Sequence, residues 1–497
     1  MMIKKENNSM CKTICTGALL ISALIAMNAF AADAAVTTKA TTPTKTDTQA
    51  SNLDKKSNKK PVQHSGPDND KDKSKAQQPQ SLAVDLITAY QQALQKDPTL
   101  KAAAATYQAQ QQLTPIARAG LLPQIVGTAN TQGNRQSPSA PERYNSHGFN
   151  LTLTQSIFSY SNWKTLAQSY PQVAGAAADY ESAKQSLILR VAQTYLDILQ
   201  AEDELKAAQA NEGALAETLK QSQQRFNVGL VAITDVQTTR ASYESAIATR
   251  VQAENTVANN QEALAEITGV IQKNLIPMRY DIPLTKPMPN NIDNWVAAAL
   301  KGNPALASAR YDQDAGNDAV GIAAGAFIPT LDGTATYTRA ASNANAAGAQ
   351  SSLAQSGQLS ATWNLFQGGA DYATYKQASY NAKATASNYV NTERSTTTKT
   401  RQDFLSVIAG IGTVNAYKQA VISSESSLKS FQAGYAVGTE TIVNVLDAQK
   451  KLFDSRSSYA QQKYQYIIDT LNLKADTGSL AIDDLKKINS WLQVKHS

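Results

Sequence analysis

The feature that most constrains this fold is a pair of long segments with almost no helix-breaking residues. Residues 172–225 contain no proline and only two glycines, and residues 233–268 contain neither. In the first segment Leu187, Val191 and Leu199 recur at helical spacing. A helix over 172–225 would be roughly 80 Å long at 1.5 Å per residue. The sequence therefore predicts coiled coils or an elongated helical bundle.

A short Val-Gly step interrupts the helical pattern twice, in "FNVGL" at 226–230 and in "YAVGT" at 435–439. Glycine readily adopts the positive φ that ends a helix and lets the chain reverse. We therefore predict that Gly229 and Gly438 lie at the tips of two helical hairpins. Asp235 and the threonines around Thr439 are predicted to help start the returning helices.

The two tips belong to a larger repeat. A constant offset of 209 aligns Val228 with Val437 and Gly229 with Gly438, and "KDPTL" at 96–100 resembles "GNPAL" at 302–306. Shared proline and glycine positions in the same order predict an internal duplication. The predicted units are a first repeat at 82–269, a linker at 270–290, a second repeat at 291–478 and a C-terminal segment at 479–497.

Each repeat also contains two short alternating segments before its long hairpin. Period-two alternation, as in "FNLTLTQSIF" at 149–158, predicts strands at about 122–133, 147–158, 327–339 and 355–366. The connectors "NRQSPSAPERYNSH" and "AASNANAAGAQSS" are polar and are predicted to be loops. After residue 32 no 18 consecutive residues are apolar, so any membrane insertion is expected through β-strands. The predicted class is α+β.

Residues 1–80 differ in character from the rest of the chain. Three lysines precede the apolar run "ALLISALIAM", and "AFA" at 29–31 supplies small residues for cleavage, so 1–31 is predicted to be an export signal. The alternative is a membrane anchor, but the apolar run is too short to span a membrane comfortably. Residues 32–80 are low in large apolar residues and are predicted to be a disordered tail. Cys11 and Cys15 both lie in the signal, so a mature protein would have no disulfide and no cysteine-ligated metal.

Charge and motifs argue against nucleic-acid binding and catalysis. Residues 1–81 hold 12 of the 46 basic and 7 of the 40 acidic residues, which leaves 34 and 33 in the remainder. The basic excess therefore belongs to the signal and the tail. His64, His147 and His496 form no helix-spaced zinc pair, and the chain has no P-loop and no G-x-S-x-G. We predict no catalytic residue, no metal site built from histidine or cysteine, and no cofactor.

The tip segments carry a family resemblance. "RFNVGLVAITDVQTTRASY" from Arg225 and "AGYAVGTETIVNVLDAQ" from Ala433 resemble the tip motifs of TolC-type outer-membrane efflux proteins, as do "NAYKQAV" at 415–421 and "NLFQGG" at 364–369. The resemblance covers about 82–495. It implies a homotrimer in the outer membrane, in which each chain contributes four strands to a shared twelve-stranded barrel and the helices form a periplasmic tunnel. Such a duct would export drugs, toxins or secreted polypeptides with a periplasmic adaptor and an inner-membrane pump, in efflux or type I secretion.

The resemblance also implies a constriction near the tips. The matching positions are Thr218, Asp235, Tyr435, Glu440, Asn444 and Asp447. Glu440 stands where the family usually has an arginine, so an approach of Asp235 to Glu440 would be repulsive. A ring of three Asp447 carboxylates is expected to bind cations.

The adaptor is expected to contact the tips, through the following residues: Val228, Gly229, Leu230, Val437, Gly438 and Thr439.

Two other functions fit parts of the pattern. A soluble periplasmic coiled-coil scaffold would explain the helices, but it has no need for four apolar-alternating strands. An adhesin-like barrel with a helical stalk would explain strands and helices, but not two internal hairpins.

Overall fold

The computed structural model describes residues 83–136, 142–345 and 348–493. The predicted signal (1–31) and tail (32–80) lie outside the described residues. The first half of the described part contains α1 (Leu86–Lys96), α2 (Pro98–Gln111), α3 (Leu113–Ala119), β1 (Gln124–Gln136), β2 (Glu142–Phe158), α4 (Tyr160–Asn227) and α5 (Ile233–Thr268). The second half contains α6 (Ile292–Gly302), α7 (Pro304–Ala324), a 3-10 turn (Gly325–Phe327), β3 (Thr330–Asn345), β4 (Gly348–Thr362), α8 (Ala370–Val437), α9 (Ile442–Asp476) and α10 (Ile482–Asn489).

Equivalent helices in the two halves begin in the same way. Pro98 and Pro304 occupy the first turns of α2 and α7, where a missing N–H costs nothing. The preceding residues cap the helices: an Asp97 oxygen accepts from Leu100 N at 2.7 Å, and Asn303 Oδ1 accepts from Leu306 N at 3.0 Å. Proline therefore fixes the start of α2 in the first half and of α7 in the second half.

The long helices α4 and α8 each contain 68 residues, a length of about 100 Å. α4 begins before the segment from which it was predicted and includes Pro171. In the described part of the chain, no helix combines the length and the apolar character that a membrane crossing requires.

The four strands form one antiparallel sheet in the order β1-β2-β3-β4. The α+β class and the number of strands are therefore as predicted, but the strand bounds are not. The described parts of both polar connectors are largely strand, because their backbone groups pair across β1–β2 and β3–β4. The last predicted strand was too long at its other end, since β4 stops at Thr362 and leaves Trp363 and Leu365 outside it.

The sheet has two chemically different faces, and none of its described strand side chains is buried. Directly opposed residues share a face in an antiparallel pair. One face is mainly apolar and carries Ile125, Phe149, Leu151, Leu153, Tyr337 and Leu359. The other face is mainly polar and carries Asn130, Asn150, Thr152, Thr334, Thr336 and Ser356. On the polar face Thr338 Oγ1 donates to Asn150 Oδ1 at 2.8 Å.

The core lies among the helices. Its largest fully buried side chains include Tyr195 on α4 and Tyr464 and Tyr466 on α9. Each of these tyrosines hydrogen-bonds through its hydroxyl, Tyr195 to backbone carbonyls and Tyr464 to Asp203 at 2.8 Å. Burying a ring with its hydroxyl satisfied gains apolar burial without an unpaired polar group. The bond from Tyr464 to Asp203 joins α9 of the second half to α4 of the first.

A pair of acidic residues joins α8 to the end of α9. Asp403, halfway along α8, lies within hydrogen-bonding reach of Asp476, the last residue of α9. Asp476 is 4 % exposed, and its Oδ1 accepts from Lys399 Nζ at 2.6 Å. The Oδ2 atoms of both carboxyls are buried without a hydrogen-bond partner. A proton shared by the two carboxyls would give the pair a hydrogen bond.

Candidate functional site at the hairpin tips

The first tip is closed by backbone hydrogen bonds around Gly229. Gly229 has φ +76°, Gly229 N donates to Phe226 O at 2.9 Å, and Leu230 N donates to Arg225 O at 2.8 Å. A glycine with positive φ followed by a bond reaching five residues back is the Schellman ending of a helix. The chain therefore reverses at the residue that the sequence predicted.

The second tip repeats this geometry at the offset of the sequence repeat. Gly438 has φ +84°, Gly438 N donates to Tyr435 O at 3.3 Å, and Thr439 N donates to Gly434 O at 2.9 Å. Neither tip glycine has a heavy atom close to the position of an added Cβ. The requirement for glycine at both tips is thus conformational rather than steric.

The returning helices begin differently at the two tips. At the second tip Thr441 is the cap, with its Oγ1 accepting from Asn444 N, while Thr439 Oγ1 donates back to Gly434 O at 3.1 Å. At the first tip Ala232 precedes α5 without a side-chain cap, and Asp235 lies in the first turn. A carboxylate there is favoured by the helix dipole. Of the two threonines around Thr439, the structure assigns the capping role to Thr441.

The tips expose several apolar side chains. Val228 is 69 %, Leu230 70 % and Val437 77 % exposed. Each helical hairpin therefore ends in a short exposed apolar surface.

The six predicted constriction residues are not all in contact within one protomer. Glu440 accepts from Asn444 Nδ2 at 2.7 Å, whereas Thr218 Oγ1 donates to Ala214 O of its own helix at 2.8 Å. Within the described chain, no hydrogen bond or ion pair links Asp235 to Glu440. Glu440 is instead held in place by Asn444, one turn further along the chain.

Asp447 lies in a groove between α8 and α9 near the second tip. Ser424, Phe431, Asn444 and Lys451 also line this groove. The carboxylate of Asp447 therefore lies with a lysine and polar groups on the hairpin surface rather than in its core.

Tyr435 has the clearest local partner, and this partner was not predicted. The Arg225 guanidinium lies 4.6 Å from the centre of the Tyr435 ring and donates to Tyr435 O at 3.0 Å and to Ala436 O at 3.2 Å. The Tyr435 hydroxyl is buried without a hydrogen-bond partner. Arg225 lies in the last turn of its own helix, where a cation is expected. Only the fold reveals that its guanidinium reaches a different helix.

Comparison with known protein families identifies the family of this chain. The family model described as "Outer membrane efflux protein" matches residues 89–270 and again 295–479. The chain belongs to the outer membrane efflux protein family. The predicted resemblance to this family is confirmed, and the two matched segments correspond to the two halves of the element order.

Two relatives illustrate the sequence similarity to known proteins. The chain is 37 % identical over 424 residues to the outer membrane protein TolC of Escherichia coli (strain K12), covering 83 % of this chain and 86 % of the relative. It is 26 % identical over 423 residues to the proteases secretion protein PrtF of Dickeya chrysanthemi, covering 83 % and 92 %.

Among solved structures, the outer membrane channel CmeC of Campylobacter jejuni superposes with a TM-score of 0.69 at 19 % identity. The similarity covers 83 % of this chain and 90 % of that one. At this identity the comparison bears on the fold alone.

Proposed function

We propose that the chain is the outer-membrane channel of a tripartite efflux or type I secretion system, conducting substrates passively from the periplasm to the exterior. The two-faced sheet carries this proposal. A sheet whose described strand side chains all remain unburied, with one apolar and one polar face, fits a wall between lipid and a water-filled lumen. A periplasmic scaffold would leave the apolar face in water.

The open edges of the sheet support a homotrimer. Among the described residues of one protomer, β1 and β4 each pair on one side only. A membrane-spanning sheet has to close, because unpaired backbone groups in lipid cost several kcal/mol each. Four strands are too few to form a barrel with a lumen. Three copies, each contributing four strands, would close a twelve-stranded barrel in contact with outer-membrane lipid.

An internal duplication accounts for the architecture of each protomer. Each half has shorter helices, two strands and a long hairpin, in the same order. The hydrogen bonds that close the two tips lie at equivalent positions of the sequence repeat. Three duplicated chains would give six similar hairpins around one axis.

The tips are the proposed contact with a periplasmic adaptor, which links the duct to an inner-membrane pump. Val228, Leu230 and Val437 would supply apolar contact area there. The same ends would form the closed constriction in the trimer, with Asp235, Tyr435 and Asp447 facing neighbouring helices. Opening then means that the tips move apart, driven by partners that favour the separated state.

Three measurements on the full-length protein test this function. Cell fractionation should place the chain in the outer membrane, light scattering in detergent should give three protomers, and planar bilayers should show single-channel conductance. Recovery in the soluble periplasmic fraction without bilayer conductance would establish the scaffold function instead. A conducting assembly of another size would refute the trimer alone.

A further inference from the structure

The arginines of the sheet all lie on its apolar face. The strands contain Arg135 on β1, Arg143 on β2 and Arg339 on β3. Arg135 is directly opposite Arg143, and Arg339 is directly opposite Phe149, so the register puts all three on the face of Phe149. Among the described strand side chains the only acidic one is Asp332, which lies on the polar face. The face proposed to meet lipid therefore carries positive charge, with no negative charge among its described side chains.

These arginines lie in the half of the sheet away from the helices. Arg339 stands eight residues beyond Leu331, the first apolar residue of β3 and one that shares its face. Eight residues rise about 27 Å along a strand, or about 21 Å along the membrane normal at a tilt of about 40°. The apolar band of an outer-membrane barrel is about 25 Å tall, so Arg339 lies near its far edge. Arg143 stands six residues beyond Phe149, which puts the pair of Arg135 and Arg143 roughly 16 Å further out.

The pair of Arg135 and Arg143 has no compensating charge in the part of the chain that the structure describes. Both side chains are exposed, and no hydrogen bond or ion pair with a described residue holds either guanidinium. Like charges directly opposite each other on two strands are destabilising. Their Cβ atoms are about 5 Å apart, which lets both guanidinium groups reach one phosphate. A phosphate accepts two parallel hydrogen bonds from a guanidinium, so binding it would replace the repulsion by attraction.

Arg339 points to the same ligand from a different position. An arginine on the lipid face costs about 2–4 kcal/mol at the midplane of the membrane but little near its surface. A long side chain at the edge of the band extends its charged end towards the headgroups. The guanidinium of Arg339 would therefore meet the phosphates of lipid headgroups.

We propose that Arg135, Arg143 and Arg339 form a binding surface for the phosphate groups of an anionic lipid in the outer leaflet. This inference rests on the channel function proposed above, because only a membrane-spanning sheet brings this face to lipid. Arg339 binds phosphate at the headgroup, and the pair binds phosphate on sugars above it. A glycolipid that is phosphorylated at both heights fits the surface, and its binding stabilises the paired ends of β1 and β2.

Equilibrium binding of labelled lipid to the full-length protein in detergent tests the surface. Two probes separate the two heights: lipid A, which has only headgroup phosphates, and rough lipopolysaccharide with a phosphorylated sugar core. Arg339→Gln should weaken the binding of both probes about tenfold or more, because charge-assisted hydrogen bonds to phosphate are lost. A variant with both Arg135→Gln and Arg143→Gln should lose as much affinity for the core-phosphorylated probe and little for lipid A.

The matched control is Arg240→Gln, which removes an exposed arginine on α5, away from the sheet. It should bind both probes as the wild type does. Wild-type affinity of the double variant for the core-phosphorylated probe would overturn the role of the pair. If the double variant does not assemble, Arg339→Gln decides, and its wild-type affinity for lipid A would overturn the proposal.

The wild-type protein separates the remaining explanations. Its affinity for lipid A should fall about tenfold or more when the phosphates of the lipid are removed, and equal affinity would overturn the proposal. Inorganic phosphate at the same concentration should not displace lipid A, and displacement would indicate a site for the free anion instead. A protein that conducts in planar bilayers but binds both forms of lipid A equally would refute this surface alone. A soluble periplasmic protein without conductance would refute the channel function.

Discussion

Raising the pH from about 4 to about 8 should weaken the contact between α8 and the end of α9, because Asp403 gains a charge there. Burial, followed by the hydrogen bond and charge of Asp476, raises the pKa of Asp403 from 3.8 to about 7. Lys399 opposes this increase, and Asp469 adds to it. A protonated Asp403 donates to Asp476, whereas an ionised Asp403 faces a second carboxylate beside a single lysine.

The sign of the effect follows from the proton balance. With a folded pKa above the unfolded value, the native state holds a proton that the unfolded state has released. The stabilisation is therefore complete below about pH 4 and is lost as the pH rises through about 7. The difference between the two pKa values corresponds to at most about 4 kcal/mol. Because Asp403 is only partly buried, solvent screening reduces this to about 1–2 kcal/mol.

Thermal unfolding of the protein in detergent, at one protein concentration and several pH values, measures this loss. For a chain of this size the midpoint should fall by roughly 1–3 °C between acidic and alkaline pH because of this group. Asp403→Asn supplies a neutral donor to Asp476 at every pH, so its midpoint should depend less on pH and exceed that of the wild type at alkaline pH. Asp454→Asn, at an exposed position of α9, is the control and should keep the wild-type slope. An Asp403→Asn variant with the wild-type slope would refute the shared-proton explanation.

The remaining predictions concern the tips. Gly438→Val should lower efflux while yield stays near normal, because a β-branched residue resists φ +84° by about 1–2 kcal/mol; intact efflux would remove the glycine from the proposed adaptor contact. Glu440→Arg should lower the open probability in planar bilayers, because an attractive pair with Asp235 would favour closure, and a more open channel would show that the two residues do not face each other. Asp447→Ala should abolish block by divalent cations added from the periplasmic side, and unchanged block would place Asp447 outside the pore.

The helices and their tips could be predicted because local rules determine them. Near absence of proline and glycine identified α4 and α5, the sequence repeat extended the prediction to α8 and α9, and Gly229 and Gly438 marked the tips. The strand bounds could not be predicted in the same way. Polar residues such as Asn134 and Asn145 are typical of loops, but in this sheet they lie in strands, Asn134 opposite Tyr144 and Asn145 opposite Gly133. None of the described strand side chains is buried, so no buried face marks the ends of the strands. The hydrophobic pattern therefore carried little information about where strand pairing stops.

Arg225 illustrates what sequence reasoning alone could not find at the site. It lies in the tip motif that identified the family, yet its contact with Tyr435 spans 210 positions of the chain. Repeat alignment places Arg225 opposite Gly434, a residue with no side chain to suggest an ion pair or a stacking contact. The tip contact is therefore asymmetric between two otherwise matching turns, and only the packing of α4 against the end of α8 reveals it.

Because α8 is long, a small tilt near its midpoint moves its end by a large distance. Asp403 and Lys399 fasten this helix to the end of α9 near its centre, which leaves half of α8 between that point and Val437 at the tip. That arm is about 50 Å long, so a tilt of about 5° at the fulcrum displaces the tip by about 4 Å. A displacement of that size exceeds the length of a hydrogen bond such as the one from Arg225 to Tyr435. Small changes of packing near the middle of the chain's longest helices can thus be amplified into making or breaking contacts at their ends.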